Sequence, residues 1–190
     1  MAASLVVFAQ KYYHRLSFNM KKFYSLTALF ALVLSAGSVS AANYSVPFEF
    51  GPDSQEQFDE CTVLNVNNDD KTWKYSSVYS SFNYQYHSTN QADDWVIMPA
   101  VDFEAGIYEL SYSYRTQMND AESFAIYIGD APSAEAMAQE ISRQEEVKSS
   151  SDFTSVSIRF QIESAGEKYI GIYCFSPKYR YNLHVKNIKV

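Results

Sequence analysis

The stretch Tyr108-Glu109-Leu110-Ser111-Tyr112-Ser113-Tyr114 alternates strictly between large hydrophobic and polar side chains. Successive side chains of a β-strand point to opposite faces of a sheet, so this period of two predicts a half-buried strand. Similar patterns predict further strands at residues 124–128, 156–162, 169–173 and 183–190, and shorter ones at 46–50, 62–66, 73–77 and 95–98. The chain therefore reads as β-structure over most of its length.

Turn signals separate these strands, among them Gly51-Pro52, Gly129-Asp130 and Ser176-Pro177. Gly, Pro, Asn and Asp favour turns because they adopt or preset turn backbone angles. Many short strands at such spacing are typical of a two-sheet β-sandwich. We therefore predict a single all-β domain.

One short helix is predicted within residues 133–141. Ser133 is a suitable N-cap, and Glu135 lies in the first turn, where negative charge suits the helix dipole. Met137 and Ile141 then fall on one face.

The first 41 residues have the pattern of an export signal. Met20 is followed by Lys21-Lys22, an apolar run over residues 23–36, and small residues that end at Ala41. This is the order of a secretory signal peptide with cleavage after Ala41, and the apolar run is too short to span a membrane. We predict translation from Met20, with residues 1–19 an upstream extension, and an exported domain over 42–190 without a transmembrane span. The product is secreted, displayed on the cell surface or periplasmic.

The charge balance excludes two classes of partner. The chain has 15 basic and 22 acidic side chains, and residues 1–41 hold four of the basic ones and none of the acidic ones. The remaining domain is strongly acidic, whereas nucleic acids and anionic membranes need a basic patch. We expect neither as a partner.

Several segments in a fixed order resemble a known family. They are NNDDKTW (67–73), ADDWVIMPA (92–100), GIYELSYSYR (106–115), IYIGDAP (126–132), EAM (135–137), YIGI (169–172) and the closing residues 183–190. Together they resemble the cleaved-adhesin, or choice-of-anchor J, domain of secreted and surface proteins of Bacteroidota, including the adhesin regions of gingipains. The resemblance covers residues 47–190. It implies a jelly-roll β-sandwich of two antiparallel sheets and a non-catalytic adhesion or binding role, often with a structural calcium ion.

The acidic loop that contains Asn67 and Asp69 is the candidate metal site. Asp and Asn oxygens suit calcium, although the same residues also favour a plain solvated turn. The resemblance implies a calcium site formed by Glu49, Asn67, Asp69 and Asn187. A lysine precedes Asn187 and an aspartate replaces the family's glycine at position 70, so both readings stay open.

Two tyrosine-rich segments are candidate ligand-binding surfaces. Tyrosine offers a large contact area with a polar tip, which binding surfaces use. The alternative is that these residues cover the core or cap one end of the sandwich. The predicted ligand-contacting residues are Tyr79, Tyr84, Tyr86, Tyr179, Arg180 and Tyr181.

Catalytic motifs are missing from the sequence. It has no G-x-S-x-G, H-E-x-x-H or Gly-rich phosphate-binding pattern, and His87 and His184 read as isolated surface residues. We predict a binding module for a protein or glycan, not an enzyme. The alternatives are a structural domain of a larger, truncated surface or protease-associated protein, and a carbohydrate-active enzyme with a carboxylate pair that sequence cannot reveal. Cys61 and Cys174 either pair or stay as separate thiols.

Overall fold

The computed structural model describes residues 44–190, so the predicted signal segment, its cleavage after Ala41 and the domain boundary lie outside the described residues. Within this part 53% of the residues lie in β-strands and 5% in helical turns. The elements are β1 Tyr44–Ser45, β2 Glu49–Phe50, α1 Gln55–Phe58, β3 Thr62–Asn65, β4 Trp73–Ser76, β5 Ser81–Gln85, β6 Asp94–Ile97, β7 Val101–Phe103, β8 Gly106–Thr116, β9 Glu122–Gly129, a 3-10 turn Ala134–Ala136, β10 Gln139–Val147, β11 Thr154–Ile162, β12 Gly166–Cys174 and β13 Asn182–Lys189.

The strands form two sheets around one main core. In the seven-stranded sheet β12 pairs with β6, β7 and β9. Each of these three strands pairs with one further strand: β6 with β3, β7 with β1, and β9 with β10. The six-stranded sheet has the order β11-β8-β13-β5-β4, with β2 also paired to β13. The predicted all-β, jelly-roll β-sandwich is confirmed. Because β1 and β7 pair in parallel, the seven-stranded sheet is mixed and not purely antiparallel.

Strand β8 shows how the alternating pattern builds the core. Leu110, Tyr112 and Tyr114 are buried between the sheets, while Glu109 on the other face is exposed. Strands of the facing sheet contribute every second residue to the same core, such as Val96 of β6. Each large side chain buried in this way contributes about 1.5–3 kcal/mol relative to an exposed one.

The helix predicted within residues 133–141 is wrong. The structure has a 3-10 turn at Ala134–Ala136, after which Gln139–Val147 forms β10 against β9. A helix this short is marginal by itself, whereas strand pairing satisfies the backbone groups and buries Ile141. The turn lies directly on Gly129, where any side chain would collide with the Ala136 carbonyl.

The short α-helix of the fold is α1 instead. Its N-cap Ser54 accepts a hydrogen bond from the Gln57 amide, and the Gln57 side chain accepts one from the Asp53 amide. The spacing of Ser54 and Gln57 is that of a capping box, a signal present in the sequence. Phe58 then anchors the helix in the core.

Two further expectations can be compared with the structure. Cys174 is buried in β12 and Cys61 is half-buried after α1, and the two thiols are free. Within residues 44–190 no helix is long and apolar enough to cross a membrane.

Candidate ligand-binding site

Three predicted tyrosines come together at one end of the sandwich. Tyr86 directly follows β5, and Tyr179 and Tyr181 lie in the connection between β12 and β13. The ring centroid of Tyr86 is 6.3 Å from that of Tyr179 and 6.2 Å from that of Tyr181. The Tyr86 amide also donates to the Tyr181 carbonyl, at 3.3 Å. We call Tyr86, Tyr179 and Tyr181 the tyrosine cluster.

The tyrosine cluster is presented to solvent on a constrained backbone. Tyr179 is 62% exposed and Tyr181 40%. The φ angle of Tyr179 is 61°, a left-handed conformation that bulky residues rarely adopt. The Tyr179 amide donates to the His87 carbonyl and the Tyr181 amide to the Asp120 carboxylate, which hold this conformation. A strained backbone conformation persists only where surrounding contacts hold it in place. Such residues are often found at binding sites.

A polar groove of about 250 Å³ adjoins the tyrosine cluster. Its lining side chains can all donate or accept hydrogen bonds, and they are Asp70, Lys71, Gln85, Tyr86, His87 and Ser88. An aromatic surface beside such a groove combines contact area with hydrogen-bonding groups that fix the orientation of a ligand.

The hydrogen bonds of His87 determine which ring nitrogen carries its proton. The Nδ1 atom accepts from the Thr89 amide at 3.1 Å and from the Asn90 amide at 2.9 Å. In the neutral ring the proton therefore lies on Nε2, which is 3.1 Å from the Asp70 carboxylate. Asp70 also contacts Lys71, at 3.5 Å, so the groove holds charges of both signs.

Three predicted ligand-contacting residues lie elsewhere. Tyr84 is 2% exposed, because β5 turns it into the core, so its prediction as a ligand contact is wrong. Tyr79 lies at the other end of β5, where its ring packs on His184 and Arg115. Arg180 is half-buried, and its charge acts on the buried Glu122 carboxyl. Its side chain therefore extends toward the protein interior, unlike those of Tyr179 and Tyr181, which are exposed.

His184 is also not the surface residue that the sequence predicted. It is 3% exposed and its Nδ1 atom lies 3.1 Å from the Ser81 hydroxyl. Burial, with the charges of Arg115 and Lys186, lowers its pKa to about 4. It is therefore a neutral structural residue.

The structure separates the four residues of the predicted calcium site. Glu49 pairs with Lys189 at the end of β13. The loop with Asn67 and Asp69 contacts residues 90 and 91, which follow β5. The last residue of β5, Gln85, pairs with Asn182, so this loop lies near the start of β13. The two ends of β13, Asn182 and Lys189, are about 23 Å apart at a rise of about 3.3 Å per residue.

The side-chain oxygens of Glu49, Asn67 and Asp69 are also engaged by protein groups. Glu49 is 2.6 Å from the Lys189 ammonium. The Asp69 carboxylate accepts from the Lys71 amide and the Asn90 side chain, and the Asn67 side chain accepts from the Asp69 amide. Calcium needs six to eight converging oxygens, so this set does not fit it.

Sequence reasoning missed most of the groove, and a second aromatic group lies elsewhere. The groove residues Gln85, His87 and Ser88 form the polar run around Tyr86, which was the available signal. On the outer face of the seven-stranded sheet the rings of Trp95, Tyr173 and Phe175 stack at 4.6 and 5.5 Å. Their faces cover one another, so they leave little free ring surface for a ligand.

The geometry defines a β-sandwich module with a loop-borne aromatic surface at one end. Among solved structures, the chain is similar to cleaved adhesin domains of Lys-gingipain from Porphyromonas gingivalis. The K2 domain is 12% identical with a TM-score of 0.55, over 74% of this chain and 98% of that domain. The K3 domain is 12% identical with a TM-score of 0.53, over 68% of this chain and 88% of that domain.

A further similar structure contains a carbohydrate-binding module. The CBM22-1 and GH10 modules of a Clostridium thermocellum endo-1,4-beta-D-xylanase, complexed with xylohexaose, are 13% identical with a TM-score of 0.51. The match covers 75% of this chain and 27% of that chain. No family model and no curated protein matches the sequence. At these identities the likeness is one of fold, and as such it confirms the resemblance to cleaved adhesin domains.

Proposed function

We propose that this protein is an exported, non-catalytic binding module that recognises an extracellular glycan through the tyrosine cluster. The observation that carries the proposal is the exposure of Tyr179 and Tyr181 beside a polar groove. Sugars present apolar C–H faces and a rim of hydroxyl groups. An aromatic surface next to hydrogen-bonding side chains is complementary to both.

The composition of the groove favours binding over catalysis. Glycoside hydrolysis needs two carboxyl groups about 5–10 Å apart across the scissile bond. Among its lining side chains Asp70 is the carboxylate, and it is already engaged by His87 and Lys71. A glycan in the groove would therefore be held and not cleaved.

A protein ligand is the second candidate. The loop that precedes β9 carries Met118, which is 74% exposed, and the same loop holds the Tyr181 amide through Asp120. Exposed methionine beside tyrosines is the composition of protein-binding surfaces. The similar adhesin domains and carbohydrate-binding module are compatible with either ligand and with an extracellular location.

The test is a glycan and extracellular-protein array probed with the purified protein, followed by affinity measurement for the best ligand. We expect the double variant Tyr179→Ala/Tyr181→Ala to bind at least tenfold more weakly, about 1.4 kcal/mol, because aromatic anchors dominate such surfaces. The matched control is Ile107→Ala, which removes another exposed hydrophobic side chain, 74% exposed at the opposite end of β8.

Equal affinity of the wild-type protein and the tyrosine double variant would overturn the assignment of the site. An array without any specific glycan or protein ligand would overturn the function itself.

A further inference from the structure

Three basic side chains lie on the outer face of the six-stranded sheet without an acidic partner. They are Lys74 on β4, Arg115 on β8 and Lys186 on β13. Within residues 44–190 no carboxylate oxygen lies within 4.0 Å of their charged nitrogens. In a chain with 22 acidic and 15 basic side chains, unpaired basic groups on one face need a physical explanation. We call these three residues the cationic face.

Strand register brings the cationic face together. Lys74 pairs with Asn83, and Asn83 pairs with His184. His184 in turn pairs with Arg115. Residues directly opposite each other share one face of a sheet, so Lys74 and Arg115 lie in one row across four strands. Lys186 follows His184 by two residues and therefore points to the same side.

Two aromatic rings hold the cations of Arg115 and Lys186 in place. The Arg115 guanidinium lies 4.8 Å from the centroid of the Tyr79 ring and donates to the Ser150 carbonyl at 3.0 Å. The Lys186 ammonium lies 4.1 Å from the centroid of the Phe153 ring and donates to the Tyr79 carbonyl at 3.3 Å. All these partners are neutral, so they orient the two cations and leave the net positive charge in place.

The buried His184 ring lies between these cations and responds to them. Burial, and then the positive charges of Arg115 and Lys186, lower its pKa to about 4. The polar partners of its ring nitrogens are the Ser81 hydroxyl and the Asn83 side-chain amide, which are both neutral. Like charges held close together repel each other, and an anion bound between them would relieve the repulsion.

The other basic side chains on this face are paired. The Lys189 ammonium is 2.6 Å from the Glu49 carboxylate, and the Arg159 guanidinium is 3.8 Å from the Glu109 carboxylate. The missing counter-charge is therefore a local feature of the cationic face and not a general property of the sheet.

We propose that the cationic face binds a sulfate or carboxylate group of an acidic glycan, with Arg115 and Lys186 as the main contacts. A guanidinium matches the geometry of either anion, and an ammonium adds a second charge. The glycan as the source of the anion rests on the proposed function. Tyr181 of the tyrosine cluster precedes His184 by three residues, about 10 Å at the rise of a strand, so one ligand can reach both places.

A nucleic acid fits the cationic face less well. Single strands bind through bases stacked on aromatic rings along a basic groove. Here cations cover the Tyr79 and Phe153 rings, and the domain around the cationic face is acidic.

The first experiment tests the anion site without any glycan. The pKa of His184 in the purified protein is measured by NMR from its imidazole chemical shifts, in sodium sulfate and in sodium chloride at equal ionic strength. We expect a higher pKa in sulfate, because a bound anion favours the protonated ring. The difference should disappear in the variant Arg115→Gln/Lys186→Gln.

The second experiment tests the ligand class. Affinity is measured for oligogalacturonate, chondroitin sulfate oligosaccharides and neutral xylo-oligosaccharides, so that carboxylate, sulfate and uncharged ligands are compared. We expect Arg115→Gln/Lys186→Gln to bind the acidic oligosaccharides about tenfold more weakly than wild type. The matched control Arg159→Gln/Lys189→Gln removes two paired cations from the same face and leaves the affinity unchanged.

Lys74→Gln keeps the test decisive if the loss of the Arg115 contact with Tyr79 prevents folding. Lys74 is exposed and lies in the same row, so its replacement weakens binding of the acidic oligosaccharides without disturbing either ring.

Three results would overturn the proposal. The first is a His184 pKa that is equal in sulfate and chloride. The second is equal affinity of wild type and Arg115→Gln/Lys186→Gln for the acidic oligosaccharides. The third is equally tight binding of a single-stranded oligonucleotide, which would make the face a general polyanion site. Binding of neutral glycans through Tyr179 and Tyr181, without preference for acidic ones, would keep the proposed function and overturn this inference alone.

Discussion

Tyr84 and Tyr86 lie two residues apart and have opposite roles. Tyr84 lies within β5, on the face that turns toward the other sheet. Tyr84 is covered by the facing sheet and packs edge-on against Trp73. Tyr86 follows the last residue of β5, beyond the facing sheet, and contacts Tyr179 and Tyr181 instead. A tyrosine at this end is therefore core or binding surface according to whether the second sheet extends over it.

The largest effect is expected for Tyr84→Ala. The ring is buried in the main core, and replacing a buried aromatic side chain by alanine costs about 3–5 kcal/mol through lost burial and a cavity. This is a large part of the 5–15 kcal/mol typical of a folded domain. Urea unfolding at neutral pH with EGTA present measures the free energy of unfolding.

Tyr84→Phe is the matched control for that measurement. It keeps the ring and removes the hydroxyl that interacts with the Asp94 carboxyl, so the free energy of unfolding falls by much less than in Tyr84→Ala, about 1 kcal/mol. A cost for Tyr84→Phe close to that of Tyr84→Ala would show that the hydroxyl, and not the ring, stabilises the fold.

The second-largest expected effect is a pH dependence of the free energy of unfolding, caused by the Asp94 carboxyl group beside Tyr84. Burial raises the pKa of Asp94 from 3.8 to about 6, so between these values the folded state binds more protons than the unfolded state. Stability from this group is therefore present below pH 4 and lost as pH rises to 6, on the order of 2–3 kcal/mol. His184 acts in the opposite direction over a similar range, because its pKa is lowered.

The comparison of wild type with Asp94→Asn isolates this contribution. Urea unfolding from pH 4 to 6.5, with EGTA present, gives the difference in free energy of unfolding at each pH. We expect wild type to lose stability relative to the variant as pH rises. Parallel curves for the two proteins would contradict a raised pKa at Asp94.

The smallest effect on the free energy of unfolding is expected for substitutions in the tyrosine cluster. Tyr179 and Tyr181 are exposed in a loop, so the free energy of unfolding of the double alanine variant stays within about 0.5 kcal/mol of wild type. The same variant loses ligand affinity if the tyrosine cluster is the site. A destabilisation as large as that of Tyr84→Ala would instead make these rings part of the core.

The alternation in residues 108–114 was sufficient to predict β8 and the inward side of Leu110, Tyr112 and Tyr114. Such a pattern depends on local geometry, which the order of residues carries directly. The same local reasoning failed at residues 133–141. There the choice between helix and strand depended on pairing with β9, a contact between segments that no short window contains.

The sequence by itself determined that this protein is an acidic β-sandwich with tyrosine-rich connections, because strand periodicity and composition are local properties of the chain. The tertiary structure alone decided which tyrosines are exposed and where Glu49 and Asp69 lie relative to each other. These facts depend on strand register and on where one sheet ends over the other. Both are set by packing between residues distant in the chain.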